Sequence, residues 1–373
     1  MTRNGASRVC MASLRGFNRL AGWCSNYEFE DVAVSVDDVA LFELNPGRAF
    51  SQTDWVMQRL MWRPGVELWA RRANPGLKPI TLDRDYDLFV FICMNPYDLL
   101  YLNAIKNWRE RARTAICFMV EIYTGQTDEL LFHLGMLRKF DHVCLGFSSS
   151  VAAVEAAIGK PTHHLALAVD AFRFTSLRHP TPRPIDVYCM GRRVEWAHEA
   201  LLRLAAQDQV FYIYDTIPSS LIRPPNHRQH RDLVASLAKR SRCFVTSPAK
   251  AGDAESGGQS EVGARFYEGA AAGTVMIGQA PTSPAFREEF GWPDSVIDMR
   301  DEAELLHWLE LSRREPARLD AIGKKNAIEA LLRHDWVYRW RRILEIAGLE
   351  PTPKLREREE RLRDLAQAAS SQS

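Results

Sequence analysis

Nowhere in this 373-residue chain does an apolar run come near the ~18 residues of a membrane-spanning helix. The strongest run, Leu88 to Met94 (LFVFICM), has instead the length of a central strand in a parallel sheet. No transmembrane segment is therefore expected. The opening residues, MTRNGASRVCMASLRGF, lack the sustained apolar core of a secretory signal, which leaves a cytoplasmic location, either free or peripheral to the inner face of the membrane. Cysteine is sparse: Cys10, Cys24, Cys93, Cys117, Cys144, Cys189 and Cys243 make seven, with no C-x-x-C pairing, mostly inside apolar runs. They read as buried thiols in a reducing compartment. An excess of either charge is missing too. With 48 basic and 47 acidic residues and a net charge of +1, nucleic acid and other polyanions are not expected as partners. The partner is expected to be small and locally recognised.

Several catalytic signatures are also absent. No G-x-G-x-x-G follows the first strand, and no acidic residue stands at the distance a dinucleotide ribose requires, which disfavours a Rossmann oxidoreductase. The G-x-S-x-G elbow of a serine hydrolase is missing. His163, His164, His179, His227 and His230 sit in polar contexts without metal-ligand spacing. Asp83, Asp85 and Asp87 form a D-x-D-x-D string, but it runs into a buried strand and reads as its polar lead-in. No metal is expected.

What remains is a globular composition, 46% apolar and 25% charged, in a chain long enough for two domains. The first half alternates strands and helices. Strands are predicted at Arg8 to Leu14, Val39 to Leu44, Leu88 to Met94, Thr114 to Val120, Asp141 to Gly146 and His164 to Val169, with helices at Pro96 to Arg113 and Val151 to Ile158. Trp55, Trp62 and Trp69, spaced by seven, read as a helical stripe stacked on the sheet. Thr175 to Pro184 carries three prolines and no apolar period, so it reads as a linker. The pattern then restarts, with strands at Ile185 to Met190, Val210 to Tyr214, Cys243 to Thr246, Thr274 to Gly278 and Ser295 to Met299. Helices are predicted between and after them, among them Glu195 to Ala206, Arg231 to Lys239, Arg318 to Arg333 and Trp336 to Ala347. Pro218 to Arg231 reads as a polar loop, and Lys354 to Ser373 as a solvated helix with a frayed end. The domains are thus 1–175, a linker 176–184, 185–335, a helix within 336–349 and a charged tail 350–373. The fold class is α/β, with two Rossmann-like, doubly wound parallel sheets.

The chemistry concentrates between Gly257 and Gly278 (GGQSEVGARFYEGAAAGTVMIG). Gly257, Gly258 and Gly263, with Ser256, Gln259, Ser260 and Glu261, make a loop whose main-chain N–H groups a ligand can approach closely. A short helix from Ala264 to Ala272 follows, and its first turn offers unpaired N–H groups to a phosphate, with Arg265 as a bidentate partner. Gly273 ends it as a left-handed cap. Glu268 is a carboxylate suited to two vicinal hydroxyls, such as those of a ribose. Tight helix-sheet packing is the competing explanation of the glycines. In sheets of this kind ligands gather where strands end, which adds Gly191, Arg192 and Arg193 after one strand, Tyr214 and Asp215 at another, and Asn95 and Glu121 in the first half. Glu121 follows a wholly apolar strand and is the general-base candidate; an exposed strand-end carboxylate is the alternative.

Arg265 to Gly278 (R-F-Y-E-G-A-A-A-G-x-V-M-I-G) and Pro281 to Trp292 (P-T-S-P-A-F-R-E-E-F-G-W) resemble the C-terminal domain of GT-B glycosyltransferases, in particular the group 1-like, spore-maturation and spore-coat set. Asp170 to Phe174 (DAFRF) is similar to the element that closes the first domain there, Gly191-Arg192-Arg193 to its strand-Gly-Arg element, and His334 to Leu344 (HDWVYRWRRIL) to its terminal helix. The resemblance implies two such domains facing a cleft, with the last helix crossing back to the first. It implies transfer of a sugar from a nucleotide-sugar donor to an acceptor (a glycan, lipid-linked sugar, protein or small molecule), metal-independent and with retention. Retaining members carry two glutamates eight positions apart. Glu268 is similar to the second, which holds the ribose; the position eight before it is Ser260, with Glu261 one step on. The resemblance therefore makes Glu261 a catalytic candidate beside Glu121. A nucleotide-sugar epimerase and a non-catalytic sugar- or partner-binding protein are the alternatives.

Overall fold

Unbroken apolar runs can be buried only if both faces of a sheet are covered, which favours parallel strands connected through helices. The computed structural model describes residues 7–60, 72–217, 221–250 and 256–371, and its two large sheets are parallel throughout. The chain divides into two units. One comprises Met1–Arg19, Ala33–Ala166 and Trp340–Thr352, the other Leu20–Val32, Leu167–Arg339 and Pro353–Ser373.

The sheet of the first unit contains β1 (Val9–Ser13), β2 (Val39–Glu43), β3 (Tyr86–Cys93), β4 (Ala112–Met119), β5 (His142–Leu145) and β6 (Thr162–His164), in the order β2-β1-β3-β4-β5-β6. The second contains β7 (Ile185–Cys189), β8 (Tyr212–Tyr214), β9 (Ser241–Thr246), β10 (Val275–Gly278) and β11 (Ile297–Asp298), ordered β8-β7-β9-β10-β11. Both are doubly wound, and each reverses direction beside its first strand, where open parallel sheets form their ligand crevice.

Two segments of the first half depart from the sequence reading. The stretch after β3 is a 3₁₀ helix, Pro96–Ala104, rather than a long α-helix. It stops there because Ile105 and Lys106 pair in parallel with Ile80 and Thr81, and Asn107 then turns at φ +54. Asp98 accepts the N–H groups of Met94 and Asn95 at 2.8 and 3.1 Å, and Asn107 binds both the N–H and the carbonyl of Leu82 at 3.0 Å. The strand expected at His164 to Val169 ends at His164, because the following backbone is bonded elsewhere. Arg339 donates twice to the Leu167 carbonyl, and Val169 N–H to the His334 carbonyl. Of the tryptophan stripe, Trp62 and Trp69 lie outside the described residues. Trp55 is 57% exposed, under the Arg59 guanidinium at 4.0 Å, and does not stack on the sheet.

In the second unit, helix α1 (Cys24–Val36) supplies its first half, and α2 (Glu195–Ala206), α3 (His227–Lys239), α4 (Ala264–Ala271) and α5 (Pro316–Arg333) cover the sheet. A Cβ added at Gly269 on α4 would stand 2.8 Å from Phe244 of β9 and 3.0 Å from Met276 of β10. Only glycine lets this helix approach so closely. Helix α6 (Trp336–Ile346) brings Trp336 onto Phe29, centroids 4.8 Å apart. Helix α7 (Pro353–Ser370) is the charged tail, but it is not simply solvated: Leu355, Leu362, Ala366 and Ala369 are buried along one face, and Arg358 pairs with Asp170 and Asp335 at 2.7 Å.

Candidate functional site

The C-terminal ends of β7, β8 and β9 and the start of α4 bring several of the predicted residues together. Gly191 follows β7 with φ +85, a conformation other residues adopt only under strain. Its N–H donates to Asp215 Oδ2 at 2.8 Å. Arg193 donates to the Asp215 carbonyl and lies over the Tyr214 ring at 4.9 Å. Tyr214 stacks on Tyr212 at 5.0 Å, which holds that face of the site. Arg265, in the first turn of α4, reaches the same place: its Nε is 3.7 Å from the position a Gly191 Cβ would take. Arg192 is exposed beside them.

The loop ahead of α4 is organised by its own polar groups. Ser260 Oγ accepts the Thr282 N–H at 3.2 Å. Glu261 is buried; Oε1 accepts from Gln259 Nε2 at 2.9 Å, and its carbonyl from Ala249 N–H at 2.8 Å. Gly263 is the extended N-cap of α4 and, having no side chain, leaves the first-turn N–H groups without a side-chain cap. Two hydroxyls nearby in sequence were not among the predicted site residues. Thr246, the last residue of β9, and Ser283 are buried, and their hydroxyls have no protein partner, which a native structure normally explains by water or a ligand. Their signal was position, at a strand exit and in the loop after β10.

Glu268 is 1% exposed and both its oxygens are engaged. Arg231 Nη1 donates to Oε1 and Arg265 Nη1 to Oε2. Arg231 is buried too, and its Nε and Nη2 donate to the two oxygens of Glu28 at 3.1 Å. Glu28, on α1, is a hub: it also accepts from Arg173 at 3.0 Å, from Asp170 N–H at 2.9 Å and from Trp336 Nε1 at 3.2 Å. Burial by itself raises the Glu268 carboxyl, but Arg265 and Arg231 outweigh it and hold it below its ordinary range. Burial also opposes the charge on Arg231, and Glu28 and Glu268 together hold that charge firmly. His230, beside Arg231, is held low by burial and the two arginines. Neither Glu28 nor Arg231 was among the residues singled out by sequence. A signal existed: Arg231, Val234, Ala235 and Ala238 are the buried residues of α3, so an arginine occupies the first position of an apolar i, i+3, i+4, i+7 stripe.

In the first unit, Glu121 follows β4, half-buried, with its N–H donating to the Met94 carbonyl at 2.7 Å. Burial pushes nearby Asp98 up to about 7, even though the Asn95 and Met94 N–H groups stabilise its charge. Asp85 of the D-x-D-x-D string pairs with Arg111 at 2.9 Å. Among the described residues, no group of three His, Cys, Asp or Glu converges as metal ligands, and no helix is long and apolar enough to cross a membrane. A cavity of about 620 Å³ opens elsewhere in the second unit, lined by Arg183, Gly273, Asp320 and residues of α5 and α7, and takes in none of the predicted site residues. Of its two arginines, Arg183 donates to the carbonyls of Ser241 and Ala272 and Arg242 to the carbonyl of Arg183, so chemistry rather than volume locates the candidate site.

Residues 184–345 match the family described as glycosyl transferase-like. No curated protein matches the chain significantly. Among solved structures, HepE of Anabaena in complex with UDP and glucose is similar over 92% of this chain and 99% of its own, with a TM-score of 0.53 and 14% identity. An α,α-trehalose-phosphate synthase (UDP-forming) from Burkholderia vietnamiensis covers 92% and 100%, at a TM-score of 0.56 and 12% identity. An α-glucosyltransferase in complex with UDP and a 13-mer DNA covers the same shares, at 0.54 and 11%. The fold is that of the GT-B glycosyltransferases.

Proposed function

We propose that this protein is a glycosyltransferase whose second unit holds a nucleotide-sugar donor and whose acceptor is recognised through the first unit. The observation that carries the reading is the meeting of Arg265, Gly191, Arg193 and Asp215 at the uncapped start of α4, with Glu268 one turn further on. A diphosphate suits the first group and a ribose the second. The glycosyl transferase-like match over residues 184–345 supports it, since it covers these elements.

In this reading Arg265 and the first-turn N–H groups of α4 bind the diphosphate, with Arg192 and Arg193 alongside. Departure of the nucleoside diphosphate needs its developing negative charge stabilised, and these positive groups supply that without a metal. Gly191 keeps the backbone clear of the phosphates. Ser260 and Glu261 lie at the sugar end of the donor, and Glu121 is the candidate base toward an acceptor hydroxyl. Retention follows from the family resemblance and is proposed on that ground. UDP is the first nucleotide to try, because the similar structures of HepE and of the α-glucosyltransferase were obtained with it.

Nucleoside diphosphates and nucleotide sugars should raise the melting temperature of the wild type, and clearly less that of Glu268→Ala. Slow hydrolysis of one nucleotide sugar should accompany binding. A panel that shifts neither protein would remove the donor site and favour a binding protein without transferase activity.

A further inference from the structure

Resting on that donor reading, the ion-pair chain behind Glu268 assigns a task to a residue that touches no substrate. Glu268 cannot meet a ribose as it stands, since Oε1 is taken by Arg231 and Oε2 by Arg265. The two arginines are not equivalent. Arg231 has a side chain only 3% exposed, all three of its nitrogens are engaged, and its guanidinium lies over the Phe174 ring at 4.7 Å. Moving it would take a cation from two buried carboxylates at once, Glu28 and Glu268, each 1% exposed, and leave Glu268 to Arg265 alone. Arg265 is 27% exposed and lies against Gly191, where the diphosphate is expected. It is therefore the partner that can leave.

We propose that Arg231 is a positioning residue: anchored by Glu28, it holds Glu268 through Oε1 so that Oε2 is presented to the ribose hydroxyls when Arg265 turns to the diphosphate. The exchange keeps the hydrogen-bond count of Oε2, with hydroxyl donors replacing a guanidinium N–H. It also leaves the Glu268 charge compensated, because a buried carboxylate deprived of every cation would take up a proton and lose its strength as an acceptor. Arg231 provides that compensation, and Glu28 keeps the fork aimed. The identity of α3 as the carrier matters: its N-cap, Asn226, accepts the N–H groups of Arg228 and Gln229 at 2.9 and 3.3 Å, which fixes the turn ahead of Arg231.

The test separates ribose recognition from general loss of structure. Calorimetry compares the ribonucleoside diphosphates of adenine, guanine, cytosine and uracil with their 2′,3′-dideoxy counterparts, on wild type and Arg231→Met, with melting curves alongside. Wild type should prefer the ribose form of its nucleotide by about ten- to a hundredfold. Arg231→Met should bind the dideoxy form nearly as wild type does while losing most of that preference, and in a Glu268→Gln background it should remove nothing further. An Arg231→Met protein that weakens both forms equally would overturn the positioning role and leave the donor site standing. A wild type that binds none of the nucleotides would take both readings down together. Should the methionine variant not fold, Arg231→Lys is measured in the same way. It keeps the charge but not the three-nitrogen fork that joins Glu28 to Glu268, so a full ribose preference in that variant would also overturn the proposal.

Discussion

Glu268 shows most directly how a single residue depends on its surroundings. Its carboxyl ordinarily titrates at 4.5 and is held lower here, burial being outweighed by Arg265 and Arg231. A group whose folded pKa is depressed stabilises the protein fully above its unfolded value and loses that contribution as the pH falls through the folded one. Glu268→Gln should therefore cost about 3–5 kcal/mol at pH 7, because Arg231 keeps its burial and loses half its compensation. The difference from wild type should narrow below a pH of about 4.5. Chemical denaturation at a series of pH values measures this; a gap that stays constant through the acid range would mean Glu268 is not ionised in the folded protein.

At the scale of elements, the glycines around α4 divide between packing and the candidate site. Gly269 belongs to packing, since a methyl there would stand 2.8 Å from Phe244 and 3.0 Å from Met276, both fully buried. Gly263 and Gly191 lie in the candidate site, at the start of α4 and after β7. Gly269→Ala should cost about 1–3 kcal/mol, as overpacking of a close-packed interface does, read from the urea midpoint at unchanged slope. A neutral result would show that α4 has room to shift, and with it Glu268 and Arg265. The limits of two helices, Val151–Ile158 and Glu195–Ala206, match the sequence reading to the residue; Gly159 ends the first as a left-handed cap, while Ser148–Ser150 form a 3₁₀ turn and do not cap its start through a side chain. The segment after β3 departs from the sequence reading because Ile105 and Lys106 pair with Ile80 and Thr81, a contact between distant positions that periodicity does not register.

For the whole chain, the last helix carries a prediction. Arg358 of α7 is paired with Asp335, whose side chain is fully buried, and with Asp170. Arg358→Met should destabilise by about 3–5 kcal/mol, far beyond an ordinary surface change. Thermal melts would show it, and a loss under about 1 kcal/mol would mean the tail is dispensable. Composition and local pattern by themselves determined that this is an α/β protein with two doubly wound sheets, where most of their strands lie, and that Gly257 to Gly278 contains a loop, helix and strand with Arg265 and Glu268 on it. Those properties follow from runs and spacings within a few residues. Tertiary structure alone decided which charges meet: Glu28 and Arg231 are 203 positions apart, and only the closing of the second unit around α1 makes one the anchor of the other. A carboxylate or guanidinium in a sequence carries no record of its partner, whereas burial makes the partner compulsory, since an unpaired charge in a low-dielectric interior costs more than the fold has to spare.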